Sequence, residues 1–334
     1  MRVFITGVSG LLGSTMARFL INQGHEVVGI DNMIGGVETN VPELVTYIKG
    51  DVLDVELMKE SMKDCEVVFH TAALPYEGLS VFSPMVTATS IVSGTLATAS
   101  AAIHNKVRLF INCSSMARYG NLIPPFTENM TPTPVDPYGL AKLNAEQHLR
   151  ILSDLHGLYY LTVVPHNVIG IGQRYFDPFR NVVGIMISRC LQGKPIIVYG
   201  DGEQKRSFSN VLDCIKAIYR MMESSRKDLC GQVYNIGPDD NEISIKQLAY
   251  KIGHYCEKYP SLQHYPDRPA EVKNAFCSSQ KVRDEWNYNA TITVEQTINE
   301  MVNWIKPRVR EFEYHLPLEF VTDKTPKTWT DKLI

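Results

Sequence analysis

Tyr138-Gly139-Leu140-Ala141-Lys142 sets a phenol and an ammonium one helical turn apart on the same face. A free phenol, with a pKa of about 10, supplies little phenolate at neutral pH, but a neighbouring cation stabilises the charged form. Tyr138 can then serve as general base toward a hydroxyl while a hydride leaves the same carbon, an oxidation that requires a hydride acceptor. The apolar run Phe110-Ile111-Asn112-Cys113 ends in Ser114-Ser115, 23 residues before the tyrosine. Ser115 can bond both the reacting oxygen and Tyr138.

A site for the acceptor is legible at the amino end. Val3-Phe4-Ile5 runs into Thr6-Gly7-Val8-Ser9-Gly10-Leu11-Leu12-Gly13 and then a helical stretch. Gly7, Gly10 and Gly13 permit a tight turn in which backbone N–H groups, continuing through Leu11 and Leu12, approach a pyrophosphate at a helix N-terminus. The spacing is Gly-x-x-Gly-x-x-Gly. The second β-rich run ends at Gly29-Ile30-Asp31-Asn32. There Asp31 can accept hydrogen bonds from adenosine ribose hydroxyls and would repel a 2′-phosphate, which favours NAD over NADP.

Short β-branched runs alternate with helical patterns through the first half: Val3 to Thr6, Thr15 to Gln23, Glu26 to Ile30, Val55 to Met62, Val67 to Phe69, Val86 to Ile103 and Leu109 to Cys113. That order predicts a Rossmann-type α/β fold, a doubly wound parallel sheet with helices on both faces, followed by a smaller C-terminal lobe. The expected division is a dinucleotide domain over 1–170, completed by about 207–236, with 171–206 and 237–334 forming the substrate-binding lobe and tail. Leu212 to Ser224 and Thr293 to Ile305 have helical spacing, the latter opening with a Thr293/Gln296 capping box. From Pro307 to Ile334 prolines and mixed charges predict a tail that wraps the surface.

With 33 basic and 36 acidic residues, the net charge of -3 provides no general field for nucleic acid or an anionic membrane. No run reaches 18 uninterrupted apolar residues, so no membrane span is expected. Seven scattered cysteines, without metal or redox spacing, predict reduced thiols, no metal site and a cytoplasmic location.

Taken together, these motifs resemble the extended short-chain dehydrogenase/reductase family, specifically its NAD-dependent nucleotide-sugar epimerases and dehydratases, from Met1 to about Ile305. The resemblance implies that Gly50-Asp51-Val52 holds the adenine-side acid and that Ala72 and Ala73 of His70-Thr71-Ala72-Ala73 line the cofactor. It also implies cofactor contact at Pro165, where many relatives have arginine. Asn167 matches the diphosphate-contacting asparagine, and Arg206 and Arg268 match two arginines at the nucleotide diphosphate. Guanidinium groups suit that task because they stay charged and offer paired donors. Homodimerisation is implied through the Tyr138 helix and the helix at about Val86 to His104. Beside Ser115, where related 4,6-dehydratases carry an acidic pair, stand Met116 and Ala117, which cannot move a proton. A UDP-hexose 4-epimerase working through a transient 4-keto sugar is therefore favoured, with Met116 expected against the sugar. The alternatives are a dehydratase, 4-dehydrogenase or ketoreductase using Cys113, His166 or another group for proton transfer, and a non-catalytic dinucleotide sensor. Arg118 replaces the usual aliphatic residue; it reads an acidic sugar or forms a structural salt bridge.

Overall fold

Strands apolar on both faces can be buried only if helices cover both sides of their sheet. The structure, a computed structural model describing residues 1–334, has such a sheet of seven parallel strands. Its first half runs β1 (Arg2–Thr6), α1 (Leu11–Asn22), β2 (Glu26–Asp31), β3 (Thr46–Lys49), α2 (Val55–Ser61) and β4 (Val67–His70). It continues through α3 (Glu77–Ser80), α4 (Pro84–Ala88), α5 (Gly94–His104), β5 (Leu109–Cys113), α6 (Pro137–His156) and β6 (Tyr160–Pro165). Val3 and Ile5 of β1 pack with Met16 and Leu20 of α1, whereas Phe4 packs on the other face with Met58 of α2 and Ala102 of α5. Each of the larger of these side chains, fully buried, contributes about 1.5–3 kcal/mol.

The spatial order is Val233–Ile236, β6, β5, β4, β1, β2, β3. The chain moves outward from β1 to β3 and then returns to the other side of β1, so a crevice opens at the carboxyl ends of β1 and β4. Buried hydrogen bonds hold that crevice in shape. The Thr6 hydroxyl bonds His70 Nδ1 at 2.8 Å and accepts from the Ala72 N–H at 3.1 Å, and His70 Nε2 bonds the Thr95 hydroxyl at 3.0 Å. Burial pushes His70 down to about 3, so the ring is a neutral strut.

The expected helix from Val86 to Ile103 is interrupted. Between α4 and α5 a π-helical turn, Thr89–Ser93, widens the helix and sends Ile91 into the cluster beneath Tyr138. The helical run Pro84–His104 is long and apolar enough to cross a membrane by length and composition, and half of it is buried within the protein.

A second core of 20 buried residues is built from α7 (Val182–Leu191), the strand Ile196–Tyr199, the helix Ile245–Tyr255 and the helix Val294–Ile305. The Thr293/Gln296 capping box has both its hydrogen bonds. Asn40 links this lobe to the first by donating to the carbonyls of Ser9 and Gly172 at 3.2 and 2.7 Å. The C-terminal segment does more than wrap the surface. Glu319 accepts the Met85 and Val86 N–H groups at the start of α4, and Trp329 and Ile334 pack with Phe82 and Ile197.

Candidate active site

Tyr138 and Lys142 owe their positions to the start of α6. Asp136 caps it by accepting the Gly139 N–H at 2.8 Å, and Pro137 occupies the first turn. Both side chains are buried on one face, with the Lys142 ammonium 5.9 Å from the centre of the Tyr138 ring. The ammonium also donates to the Cys113 carbonyl at the end of β5, at 2.8 Å. Gly139 lets the Ser115 segment approach, since a Cβ there would lie 2.4 Å from the Ala117 carbonyl oxygen. Burial raises the Tyr138 pKa well above the ordinary phenol range, and hydrogen bonding from Ser115 opposes the rise. Burial lowers that of Lys142, against the pull of Cys113 and Glu146. A phenol so placed needs further positive charge beside it before it can act as a base.

On the facing wall, Gly7 adopts φ of +71°, and a Cβ on Gly13 would stand 2.2 Å from the Gly7 carbonyl oxygen. The strand-to-helix turn is therefore tight, with the N-terminus of α1 open to the crevice. Asp31 accepts the Ser9 N–H at 3.1 Å and the Met33 N–H at 2.8 Å, tying that turn to the end of β2. Asn32 donates to Asp51 at 2.9 Å. Gly7, Gly10, Leu11, Leu12, Gly13, Asp31, Asn32, Asp51, Val52, Ala72, Ala73 and Pro165 line one continuous cavity of about 520 Å³, as do Ser115, Tyr138 and Lys142.

The same cavity reaches Asn167, Arg206 and Arg268. Asn167, in a left-handed backbone conformation with φ of +44°, donates its amide to the Ser207 carbonyl at 2.8 Å. Glu271 stands between the arginines, accepting from Arg206 at 3.0 Å and from Arg268 at 2.6 and 2.9 Å. Burial pushes its carboxyl up, but Arg268 and Arg206 outweigh this and hold it below the usual range. The two guanidinium groups share Glu271 and also face Glu77 across the cavity, so what they offer a phosphate is their fixed, paired donors rather than a net positive field.

The family model described as the NAD dependent epimerase/dehydratase family matches residues 3–237. The chain belongs to this family. It is 29% identical over 325 residues to the UDP-N-acetyl-alpha-D-glucosaminuronate decarboxylase of Bacillus cytotoxicus, covering 91% of this chain and 98% of the relative. It is 28% identical over 317 residues to the UDP-glucose 4-epimerase of Mycolicibacterium smegmatis, covering 92% and 99%. The crystal structure of the Thermotoga maritima UDP-glucose 4-epimerase with UDP-glucose superposes with a TM-score of 0.87 at 26% identity, covering 93% of this chain and all of that one.

This epimerase/dehydratase-family enzyme has residues that fit NAD. The glycine turn at α1 leaves room where a Cβ would close it, and Asp31 supplies a carboxylate for the ribose at the edge of that space. When bound, NAD supplies the hydride acceptor, and later donor, that no side chain here provides.

Two expectations change once the lobes are assembled. Met116 does not reach the cavity: the short 3₁₀ turn Met116–Tyr119 sends it into an apolar cluster with Phe126, Val164 and Cys277. Apolar burial outweighs any contact with a polar sugar. Arg118 proves to be the salt-bridge residue, its guanidinium 2.8 Å from Glu146, which also accepts from the Ser114 hydroxyl. The Arg118 side chain is 7% exposed. Replacing Arg118 with alanine strands Glu146 in the interior, and a stability loss of about 3–5 kcal/mol is expected in chemical denaturation. A loss under about 1 kcal/mol would contradict this role.

His166 also lies apart, its Nε2 bonded to the Pro238 carbonyl at 3.0 Å. Cys113 borders the cavity, with burial pushing its thiol up. Sequence reasoning missed Glu77, Arg180, Trp329 and Ile334, all of which line the cavity. They lie outside the motifs, and only long-range packing brings them in; the lone tryptophan of the polar tail was the one hint.

Proposed function

We propose that the enzyme is a UDP-hexose 4-epimerase. The observation that carries this reading is a Ser115-Tyr138-Lys142 site in which the segment after Ser115 presents no acid or base to the cavity. Tyr138 takes the proton of the sugar's C4 hydroxyl as hydride leaves C4, and Ser115 holds the same oxygen. Lys142 supports the phenolate. Arg206, Arg268 and Asn167 hold the diphosphate while the 4-keto sugar turns, so its opposite face meets the returning hydride and Tyr138 gives back the proton. The names of the Mycolicibacterium and Thermotoga relatives support UDP and C4 chemistry.

The active species in this proposal is a cytoplasmic homodimer joined through α5 and α6. Its support is the exposure of Leu140, Ile151 and Leu155 on α6, beside the half-buried apolar run Pro84–His104, and the seven free thiols. Purified protein with NAD is expected to interconvert a UDP-hexose and its C4 epimer, the activity sedimenting at about twice 37.7 kDa. Accumulation of a 4-keto or unsaturated sugar instead would reject epimerisation in favour of a dehydratase or dehydrogenase.

A further inference from the structure

Glu77 opens α3, and its side chain points into the same cavity as Tyr138, Arg206 and Arg268. Its carboxylate makes no hydrogen bond or ion pair within the protein; only its carbonyl is used, accepting the Ser80 hydroxyl at 2.6 Å. The turn is nevertheless fixed. The Ser80 oxygen also accepts the Tyr138 N–H at 3.2 Å, so Glu77 is joined through one side chain to the start of the helix bearing the phenol. On its other flank, Gly78 fits against Arg268 and Trp329, each 3.3 Å from where a Cβ would stand. Glu77 is thus an unpartnered carboxyl between the proton-transfer end of the cavity and the diphosphate corner, the interval that a hexose would span.

We propose that Glu77 contacts the sugar and selects its class: a neutral hexose or hexosamine whose hydroxyl or N–H donates to this carboxylate, to the exclusion of hexuronic acids. The proposal rests on the nucleotide-sugar reading given above. A sugar hydroxyl offers the donor that the carboxylate lacks, whereas a uronate brings a second anion to the same space and is repelled. The charged groups facing Glu77 act in opposite senses. Glu77 is exposed to the cavity rather than sealed from it, but the surrounding walls desolvate its carboxyl and raise its pKa to about 7; Asp136 of the α6 cap and Glu271 add to the rise, while Arg206 and Arg268 oppose it. The carboxyl is therefore ionised above that pH and neutral below it, so repulsion of a uronate grows as pH rises and fades as pH falls.

The test is calorimetric binding of UDP, UDP-glucose and UDP-glucuronate to the NAD-loaded protein at about pH 8.5 and about pH 6. The parent is expected to bind UDP-glucose at least about tenfold more tightly than UDP-glucuronate at the higher pH, with the ratio shrinking at the lower. In Glu77→Gln the ratio should collapse at both pH values, with affinity for UDP itself unchanged, a pattern that a merely structural role would not produce. A parent that prefers the uronate, or a preference that survives Glu77→Gln, overturns the proposal while leaving the nucleotide site intact. Failure of the parent to bind UDP at all defeats the underlying nucleotide-sugar reading instead.

Discussion

Phenylalanine in place of Tyr138 is expected to lower turnover by about 10²–10⁴-fold, the span commonly contributed by a positioned general acid or base. The fold should be almost unaffected. The ring packs with Ile91, Ala117, Ala141 and Ala145, contacts that phenylalanine keeps, and the hydrogen bond from the Tyr138 N–H to Ser80 belongs to the backbone. Rate constants measured beside a thermal melt separate these effects: kcat should collapse while the midpoint stays within a few degrees of the parent. Equal turnover of variant and parent would remove the phenol from the chemistry. It would favour a protein that binds a dinucleotide without reacting through it.

The second large effect is expected at Gly13. Its backbone conformation is ordinary, and the constraint is space: an added methyl would meet the Gly7 carbonyl oxygen at 2.2 Å and the Val8 Cα at 2.9 Å. Both belong to the backbone of the cofactor turn and cannot move aside as a flexible side chain would. Gly13→Ala must therefore shift α1 away from the turn, at a cost of about 1–3 kcal/mol for overpacking. Affinity for NAD should fall at least about tenfold, because the N–H groups that would meet the pyrophosphate move with the turn. Gly24→Ala is the control. Gly24 has φ of +80° but nothing within 4 Å of a new Cβ, so only backbone strain of about 1 kcal/mol is expected, with NAD binding unchanged. Parallel fluorescence titrations of NAD would decide the matter, and equal affinities in the two variants would show that close packing at Gly13 is not what shapes the site.

Motif residues were legible because each answers to local geometry. Tyr138 and Lys142 share a face through helical periodicity alone, and the Asp136-Pro137 start fixes where that helix begins. The glycine turn follows from a strand passing directly into a helix, and Asp31 follows from the end of the adjacent strand. The π-turn was not legible. Val86 to Ile103 has the composition of one continuous helix, and the widening at Thr89–Ser93 accompanies contacts made elsewhere, among them the Leu74 N–H donating to the Ser90 hydroxyl at 3.0 Å.

By itself, the sequence determined the doubly wound architecture, the preference for a dinucleotide without a 2′-phosphate, and the grouping of Ser115, Tyr138 and Lys142 in one cavity, because strand and helix periods dictate which neighbouring side chains point together. Tertiary structure decided the rest: Met116 turned into an apolar cluster, Arg118 was consumed by Glu146, and Gly78, next to Glu77, came against Arg268 and Trp329 across most of the chain's length. Those outcomes depend on how two lobes and a tail close over one cavity, and residue spacing along an element carries no record of what packs against it from a distance.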